Sequence, residues 1–475
     1  MADINLGVGG ANSATGGYEI DNSLKFEDDN FEWIDSGTST STTSNKIGTI
    51  SFWFKRTELT GADQWIWSGA SSARYVGIRF DSNEKLKGYF SALGNGADFV
   101  STQVFRDTSA WYHIVLAIDT TNSTAGDRFK IYVNGERITD WDTTPAIDQN
   151  TAIEGFEASA RQAWAQYNAI YSDDAVQVSG YLAETYFING QQLAASSFGE
   201  FDSDTGIWIP KEYTGTFGDK GYYLKFDDSS SLGADSSGNG NNFTLNNIAA
   251  ADQATDTPTN NFNTFTPLYK YASQATITEG GTSVGYPGAA WRGAKGSIGV
   301  INGKWYWEVK STGGWSNLML GIQSSNVSTN LNSGNSINHN NSIYIGYGSG
   351  NYYYYTGGSQ TSNESTGWDS GGTWGSSDIF GFALDLDSAT KKFILYRNGS
   401  AVNGSGTNLP SAFQDEYLSP FAAGYDASEQ HWNFGGYTEM SISSGASDAN
   451  GYGTFEYAPP SGYYALCSKN LAEYG

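Results

Sequence analysis

The sequence predicts an all-β protein built from two tandem antiparallel β-sandwich domains, and three observations lead to this prediction. Short apolar runs alternate with turn segments rich in Gly, Ser, Thr and Asn, with 59 glycines but only 9 prolines in 475 residues. Aromatic residues make up 15% of the chain, and large rings suit half-buried pleated surfaces. One strand–turn–strand segment also occurs twice, far apart in the chain, which suggests two domains of similar plan.

The repeated segment is Phe129-Lys-Ile-Tyr-Val-Asn-Gly135, with its near copy Phe393-Ile-Leu-Tyr-Arg-Asn-Gly399. Each copy follows an apolar run that ends in aspartate, at residues 114–119 and 380–385. Asn-Gly predicts a type I′ hairpin turn, because both central residues of that turn need positive φ. We expect the two hairpins to be scaffold, so that function lies in the loops around them.

Changes in pattern along the chain divide it into four parts. Residues 1–17 are small and Gly-rich, which is compatible with a disordered tail or with an arm that orders against a partner. Strand-like alternation over residues 18–200 predicts the first domain. Residues 201–270 are a connecting segment, partly packed on the first domain, with the boundary near 250–270. Residues 271–475 form the second domain.

Two short stretches are exceptions to the β pattern. Residues 158–169 are Ala-rich and predict a short helix. Residues 191–197 predict a single helical turn.

The charge balance excludes nucleic acid as a partner. Lys and Arg number 25 against 50 Asp and Glu, so the net charge is −25 and phosphate groups would be repelled. The single cysteine, Cys467, excludes an intramolecular disulfide and is expected to be a buried thiol. We see no signal peptide and no stretch apolar enough to insert into a membrane, and expect synthesis in a reducing cytoplasm.

Motifs in the two predicted domains resemble known sandwich families. Residues 18–200 resemble the concanavalin A-like, laminin-G-type sandwich, through Trp111-Tyr-His-Ile-Val-Leu-Ala-Ile-Asp119 followed by the first hairpin. Residues 271–475 resemble a SPRY domain. The motifs that carry this resemblance are Gly303-Lys-Trp-Tyr-Trp-Glu308, Gly321-Ile322, Asp378-Ile-Phe-Gly-Phe-Ala-Leu-Asp385, the second hairpin and Pro420-Phe421. Both resemblances imply jelly-roll-like β-sandwiches.

The pairing of the two modules resembles virion structural proteins of marine tailed phages. It is carried by Leu232-Gly-Ala-Asp-Ser-Ser-Gly-Asn-Gly240 and Asp256-Thr-Pro-Thr-Asn-Asn-Phe262. The resemblance implies a virion surface protein, either a tail fibre or a head fibre or decoration, made in the host cytoplasm. It also implies contact with other virion proteins through the N-terminal arm, and a homo-oligomer, with a trimer favoured.

No catalytic residues are predicted. Glucanases of concanavalin-like shape carry alternating carboxylates on one strand, and this sequence has no such run. Asp385-Leu-Asp387 has the right alternation but lacks a third carboxylate. The histidines, His113, His339 and His431, lie in no metal or triad motif, and His113 is expected in the core. The sequence leaves open whether two carboxylates from distant strands form a catalytic pair.

A calcium site is the one metal site that the sequence suggests, and no other cofactor is expected. Asp235, Asn239 and Asn241 supply hard oxygen ligands in a polar loop, as the laminin-G resemblance would favour. A plain polar turn is the alternative. Residues 202–206 begin like a calcium loop but lack the later bidentate glutamate.

Aromatic residues are the candidates for carbohydrate binding. The loop-rich region 347–374 holds five rings among Asn, Ser and Gly, a composition typical of adaptable recognition loops: Tyr347, Tyr353, Tyr355, Trp368 and Trp374. Trp65 and Trp67 are either core residues or a sugar platform. Three functions therefore compete: a glycan-binding adhesin, a purely structural decoration protein and a polysaccharide depolymerase. We favour adhesion without catalysis.

Overall fold

The structure is a computed structural model, and it describes residues 17–71, 75–92, 95–166, 177–269, 275–324, 341–346, 351–356, 359–364 and 374–475. The described chain is nearly all β and confirms the predicted fold class of antiparallel sandwich domains. It divides into two compact units between Thr259 and Asn260, here called the N-terminal and C-terminal units. Of the predicted arm at 1–17, all but Gly17 lies outside the described residues.

The N-terminal unit contains the strands up to residue 254. They are β1 Ser23–Phe26, β2 Trp33–Ser36, β3 Ile47–Arg56, β4 Gln64–Ala70, β5 Tyr75–Phe80, β6 Lys85–Ala92, β7 Asn95–Val104, β8 Trp111–Asp119, β9 Phe129–Val133, β10 Glu136–Arg137, β11 Trp141–Thr143, β12 Arg161–Trp164, β13 Gly180–Asn189, β14 Gly199–Phe201, β15 Trp208–Pro210, β16 Tyr222–Leu224, β17 Phe243–Asn246 and β18 Gln253–Ala254.

These strands form two large antiparallel sheets and a small ribbon. The first sheet has the order β10-β9-β8-β3-β13-β1-β18, with β16 also paired to β13. The second has the order β11-β7-β6-β5-β4-β12-β2-β17, and β14 pairs with β15. One apolar cluster contains residues from both sheets, including Phe52 and Leu116 of the first and Ile78 and Phe90 of the second. The cluster is therefore the hydrophobic core between the two sheets of a β-sandwich.

The C-terminal unit contains the remaining strands and one α-helix among the described residues. They are β19 Thr276–Thr278, β20 Ser283–Lys295, β21 Lys304–Ser311, β22 Leu318–Ser324, β23 Ser342–Gly346, β24 Asn351–Thr356, β25 Ser359–Glu364, β26 Ile379–Asp385, β27 Lys392–Arg397, β28 Ser400–Ala401, β29 Thr407–Asn408, β30 Leu418–Asn433, β31 Tyr464–Ala465 and α1 Ser468–Tyr474.

The 16-residue strand β30 organises the C-terminal unit. Its first half pairs with β22, from Leu318↔Gly424 to Ser324↔Leu418, and its last residues pair with β21. The main strand order is β25-β24-β23-β22-β30-β21-β26-β27-β28, with β20 also paired to β30. All described pairings in this unit are antiparallel except that of β31 with β21.

Both predicted Asn-Gly turns are confirmed. Asn134 and Gly135 have φ of 47° and 84°, and Asn398 and Gly399 have φ of 49° and 76°, as a type I′ turn requires. In each turn the Asn side-chain oxygen accepts a hydrogen bond from a backbone N–H of the neighbouring strand. Asn134 Oδ1 accepts from His113 N at 2.8 Å, and Asn398 Oδ1 accepts from Ile379 N at 2.9 Å.

The short helix predicted at residues 158–169 is wrong in the part that the structure describes, through residue 166. The chain there forms strand β12, which pairs with β4 and with β2. Ala163 and Trp164 are both fully buried, so strand pairing and core packing override the helix propensity of alanine. The turn predicted at 191–197 contains a single 3₁₀ turn, Ala195–Ser197.

The segment from residue 201 to Thr259 belongs to the N-terminal unit. It supplies β16, β17 and β18, which pair with β13, β2 and β1 respectively.

In the C-terminal unit, Cys467 is buried, and burial raises the pKa of its thiol to about 12. No helix within the described ranges is long and apolar enough to cross a membrane.

Candidate functional site

A small polar pocket opens beside the predicted calcium loop in the N-terminal unit. Its volume is about 110 Å³. The rim residues, which include Gly37, Thr38, Gly240 and Asn242, are exposed. Polar and ring-bearing side chains form the buried floor. The full lining is Ser36, Gly37, Thr38, Ser39, Gln162, Lys220, Tyr222, Gly240, Asn241 and Asn242.

Strand pairing places these residues together although they are far apart in the sequence. Strand β2 pairs with β12 on one side and with β17 on the other, so Ser36 lies near Gln162 and opposite Phe243. The loop that precedes Phe243 therefore returns to the end of β2. Strand β16 of the other sheet supplies Tyr222, whose hydroxyl donates to Gln162 Oε1 at 2.9 Å. The pocket thus lies where the two sheets of the sandwich meet.

Hydrogen bonds fix the floor of the pocket. Gln162 Nε2 donates to the carbonyl of Gly155 at 2.9 Å, which leaves its Oε1 to accept from Tyr222. The Tyr222 hydroxyl in turn accepts from Trp164 Nε1 at 3.2 Å. Each of these groups can act only as the donor or only as the acceptor in its hydrogen bond. The floor is therefore rigid and its polar atoms are pre-oriented.

Lys220 is the only charged residue in the lining, and it is 4% exposed. Its Nζ donates to the carbonyl of Ala160 at 2.6 Å. No carboxylate among the described residues lies within ion-pair distance of it. Burial lowers the pKa of this lysine to about 8, because the charged form loses its hydration. Near neutral pH the pocket therefore holds a buried positive charge without an anionic partner.

The three predicted calcium ligands have a different role in the structure. Asp235 accepts four hydrogen bonds of 2.8 to 2.9 Å, from the backbone N–H groups of Tyr223, Ser237 and Asn241 and from the Ser237 hydroxyl. Four donors use the lone-pair sites of a carboxylate, so none is left for a cation.

The two predicted asparagine ligands hold the same loop in place. Asn239 Nδ2 and Asn241 Nδ2 donate to the carbonyl of Gly221 at 2.9 and 2.8 Å, and both also donate to a second carbonyl in residues 218–219. The three residues order the loop at 235–242, which is the rim of the pocket, instead of forming an oxygen cage.

The structure describes three of the five predicted carbohydrate-binding rings, and it does not bring those three together. Tyr347 and Trp368 lie outside the described residues. Tyr353 is half-buried and Tyr355 buried in a cluster with Tyr344 and Phe421. Trp374 is in the main core of the C-terminal unit, with its ring centroid 4.1 Å from that of Phe380, so its faces are covered. Carbohydrate binding in this region stays a prediction for the remaining rings, and Trp374 takes no direct part in it.

Trp65 and Trp67 are both buried, which removes them as a sugar platform. A β-bulge between them turns consecutive side chains, Ile66 and Trp67, into the core. The guanidinium of Arg79 covers the ring of Trp65 at 4.5 Å.

His113 lies in the core, as expected, and has structural partners there. His113 is buried between Trp53 and Trp208, and its Nδ1 accepts from Trp208 Nε1 at 2.9 Å. Since an indole N–H only donates, the His113 proton lies on Nε2, which is 2.9 Å from Ser51 Oγ. Burial lowers the His113 pKa to about 3, so the ring is neutral.

The aspartate pair at 385 and 387 caps turns. Asp385 accepts from the backbone N–H and hydroxyl of Ser388, and Asp387 accepts from Gly303 N at 2.7 Å. His431 is 3.4 Å from Glu429, and His339 lies outside the described residues.

A second polar site, missed in the sequence, is an acidic cluster. The register Phe26↔Gly180↔Arg56 brings together the ends of β1, β13 and β3. Glu27, Asp28 and Glu58 follow these strand ends with carboxylate oxygens within 4.8 Å of one another. All three approach Ser179 Oγ, at 3.0, 2.8 and 3.3 Å. Within the described chain this is the group of acidic residues that could hold a metal ion.

The acidic cluster changes the ionisation of Glu58. Burial, and then the negative charge of Asp28, raise the Glu58 pKa to about 7. A carboxyl group that is more basic in the folded state than in the unfolded state loses stability as pH rises from its unfolded pKa through the folded value. Glu58 therefore destabilises the N-terminal unit progressively between about pH 4.5 and pH 7.

Replacing Glu58 by glutamine should remove this cost, because the amide carries no charge at any pH. We expect Glu58→Gln to match the wild type near pH 4.5 and to exceed its free energy of unfolding above pH 7, by up to about 3 kcal/mol. Urea denaturation at pH 4.5, 6 and 8 measures this difference. The matched control is Glu136→Gln on exposed strand β10, which should give a pH-independent difference near zero. An equal effect of both substitutions would contradict the ionisation assigned to Glu58.

Comparison with known proteins supports the fold of the N-terminal unit. Residues 28–169 match the family model described as the Concanavalin A-like lectin/glucanases superfamily. This span contains the Trp111–Asp119 motif and the first hairpin, and the match confirms the concanavalin A-like, laminin-G-type domain. A search of curated proteins finds no match to this sequence.

Some solved structures are similar to this chain at low sequence identity and low TM-score. Mouse laminin α1 chain domains LG4-5 are 10% identical, with 88% of this chain and 90% of that chain covered and a TM-score of 0.30. The SPRY domain of human HERC1 is 16% identical, with 37% and 99% covered and a TM-score of 0.25. A heptameric SAP-like pentraxin from Limulus polyphemus is 13% identical, with 38% and 80% covered and a TM-score of 0.29.

Proposed function

We propose that this chain is a non-enzymatic virion surface protein of a tailed phage that binds host-surface glycans. The observation that carries the binding part is the pre-oriented polar pocket in a lectin-type sandwich. Its lining consists of hydroxyl, amide and ammonium groups around the Tyr222 ring, which are the groups that recognise sugar hydroxyls. The match of residues 28–169 to a superfamily of lectins and glucanases supports the same reading.

A glycan array with the intact chain tests binding. We expect the wild type to bind a defined subset of glycans and Thr38→Trp to bind none. Thr38 is exposed on the rim and is donor or acceptor to no described residue, so a large ring there would cover the opening without breaking a contact. Trp368→Ala tests the predicted aromatic region in parallel. Absence of binding by the wild type would contradict the adhesin function and leave the purely structural alternative.

One observation favours a second function, polysaccharide depolymerase. The carboxylate oxygens of Glu27, Asp28 and Glu58 lie within 4.8 Å of one another, and retaining glycosidases place two carboxyl groups about 5–5.5 Å apart. A Glu58 pKa of about 7 would also suit a general acid.

A reducing-sugar assay on the glycans that bind separates the two functions. We expect no release of reducing ends by the wild type. Release by the wild type that Glu58→Gln abolishes would establish the depolymerase. We expect no release of reducing ends because all three carboxylates approach the Ser179 hydroxyl group. This arrangement leaves little room for a sugar oxygen between them.

The virion part of the proposal rests on the resemblance of the paired modules to phage structural proteins. The N-terminal arm, residues 1–17, would contact other virion proteins, and a trimer is favoured as for a fibre. Cryo-electron microscopy of purified particles tests this: the two sandwiches should appear on the tail or head surface. Particles without them would contradict it.

A further inference from the structure

We propose that the pocket lined by Gln162, Lys220 and Asn241 binds the carboxylate of an acidic sugar residue, with the Lys220 ammonium as counter-ion. This deepens the glycan-binding function proposed above and rests on it. The ligand class follows from the charge, size and donor arrangement of the pocket.

The charge of Lys220 is the first argument. Burying an ammonium group away from water is costly unless an anion or several hydrogen bonds compensate it. The other deeply buried lysines of this unit follow that rule: Lys25 is 3.1 Å from Glu32, and Lys55 is 2.7 Å from Asp256. Among the described residues, Lys220 Nζ donates only to the carbonyl of Ala160, at 2.6 Å. Its missing partner is an anion, and the residue lines an open pocket into which an anion can enter.

The donors of the rim are the second argument. The Thr38 hydroxyl and the Asn242 side-chain amide group donate to no described residue, and both residues are exposed. They are therefore available to sugar hydroxyl groups next to a carboxylate held at the floor. Asn242 itself is held in place, because its Oδ1 accepts from Asp235 N at 2.8 Å.

The size of the pocket is the third argument. Its volume of about 110 Å³ is well below the roughly 300–1,000 Å³ of sites that enclose a small-molecule ligand. One functional group can enter while the rest of the sugar lies over the rim. A single lysine also matches a singly charged carboxylate, and the net charge of −25 opposes polyanions such as nucleic acid.

Isothermal titration with monosaccharides tests the assignment without knowledge of the natural glycan. The probes are D-glucuronate, D-glucose and D-glucose 6-sulfate, with the full chain as receptor. We expect the wild type to bind glucuronate at least tenfold more tightly than glucose, and more tightly than the sulfate. Tighter binding of the sulfate would overturn the assignment to a carboxylate.

A pair of lysine variants locates the binding. Lys220→Met keeps the length of the apolar stem and removes the charge, so we expect glucuronate affinity to fall to the level of glucose. The control, Lys211→Met, removes one exposed lysine charge of the same unit that is paired with Glu200, and it should bind like the wild type. Equal binding of glucuronate by the wild type and Lys220→Met would overturn the proposal.

A pH titration of the wild type gives a test that needs no variant. With a Lys220 pKa of about 8, glucuronate affinity should be constant below pH 7 and fall about tenfold per pH unit well above pH 8. Glucose affinity should not change. A flat profile for glucuronate up to pH 10 would overturn the role of Lys220 even if Lys220→Met failed to fold.

The outcomes separate this inference from the proposed function. Binding of neutral glycans on the array, without binding of glucuronate, would sink the inference and leave the adhesin function standing. Binding of glucuronate in the Lys220-dependent manner would support both. No binding of any glycan and none of glucuronate would contradict both.

Discussion

Replacing Trp374 by alanine is expected to lower the free energy of unfolding of the C-terminal unit by about 3–5 kcal/mol. The indole is 1% exposed and packs against Phe380, with the edge of Trp315 at a centroid distance of 5.7 Å. Its removal leaves a cavity among rigid rings, which cannot collapse onto the missing volume. The urea midpoint of the full chain, followed by tryptophan fluorescence, measures the loss.

An exposed aromatic residue of the same unit provides the control for this substitution. Tyr417 is 49% exposed, so Tyr417→Ala should change the free energy of unfolding by no more than about 0.5 kcal/mol. If Trp374→Ala were as mild as Tyr417→Ala and reduced glycan binding, Trp374 would be a binding residue as the sequence first suggested, and its burial here would be wrong.

Replacing Asp256 by alanine is expected to cost the N-terminal unit about 3–5 kcal/mol. The Asp256 carboxylate is 1% exposed and accepts from Lys55 Nζ at 2.7 Å and from Trp111 Nε1 at 3.0 Å. Asp256 therefore links the last residues of the N-terminal unit to strands β3 and β8. The substitution leaves the Lys55 ammonium buried with much of its compensation removed. Thermal unfolding of the variant measures the cost.

A double variant separates the two explanations for this cost. If the loss arises from a buried charge without its counter-ion, Lys55→Met combined with Asp256→Leu should be more stable than Asp256→Ala alone. If the loss arises only from the removed contacts, the double variant should be less stable. Asp227→Ala, at an exposed position of the same unit, is the control and should be close to neutral.

Local chemistry explains why the hairpins could be predicted from the sequence. A two-residue Asn-Gly turn needs only neighbouring residues, and positive φ at positions 134, 135, 398 and 399 follows from them. The same Asn side chains bind a backbone N–H of the adjacent strand, which the sequence did not suggest. Turn chemistry is readable because it depends on a few residues next to one another.

Two features of the strands have causes outside the local sequence pattern. The bulge between Trp65 and Trp67 shifts the strand period by one residue, so that Ile66 and Trp67 both face the core. Strand β12 forms in an Ala-rich segment because β2 and β4 leave a place between them in the sheet. Neither event is visible in a window of ten residues.

Most of the candidate site could not be predicted from the sequence, because strand register brings its residues together. Gln162, Lys220 and Ser36 come from three distant segments with no shared motif. One signal was present but was not used: Lys220 lies two residues before Tyr222, the first residue of strand β16, and Lys220, Tyr222 and Leu224 are all buried. A lysine on a core-facing position indicates either an internal partner or a ligand.

The acidic cluster gave no such signal. Glu27 and Glu58 follow ordinary strands, and acidic residues at strand ends are usually solvated. Only the register of β1, β13 and β3 brings their carboxylates to the same serine hydroxyl.

The central claim is tested most directly by a crystal structure of the full chain, determined from crystals soaked with the tightest-binding oligosaccharide from the array. The claim is that the N-terminal sandwich binds a glycan in the polar pocket and leaves it intact. The predicted result is an unbroken sugar chain over Thr38 and Asn242, with one group against Lys220. Sugar density at Glu27, Asp28 and Glu58, or a cleaved product, would contradict it.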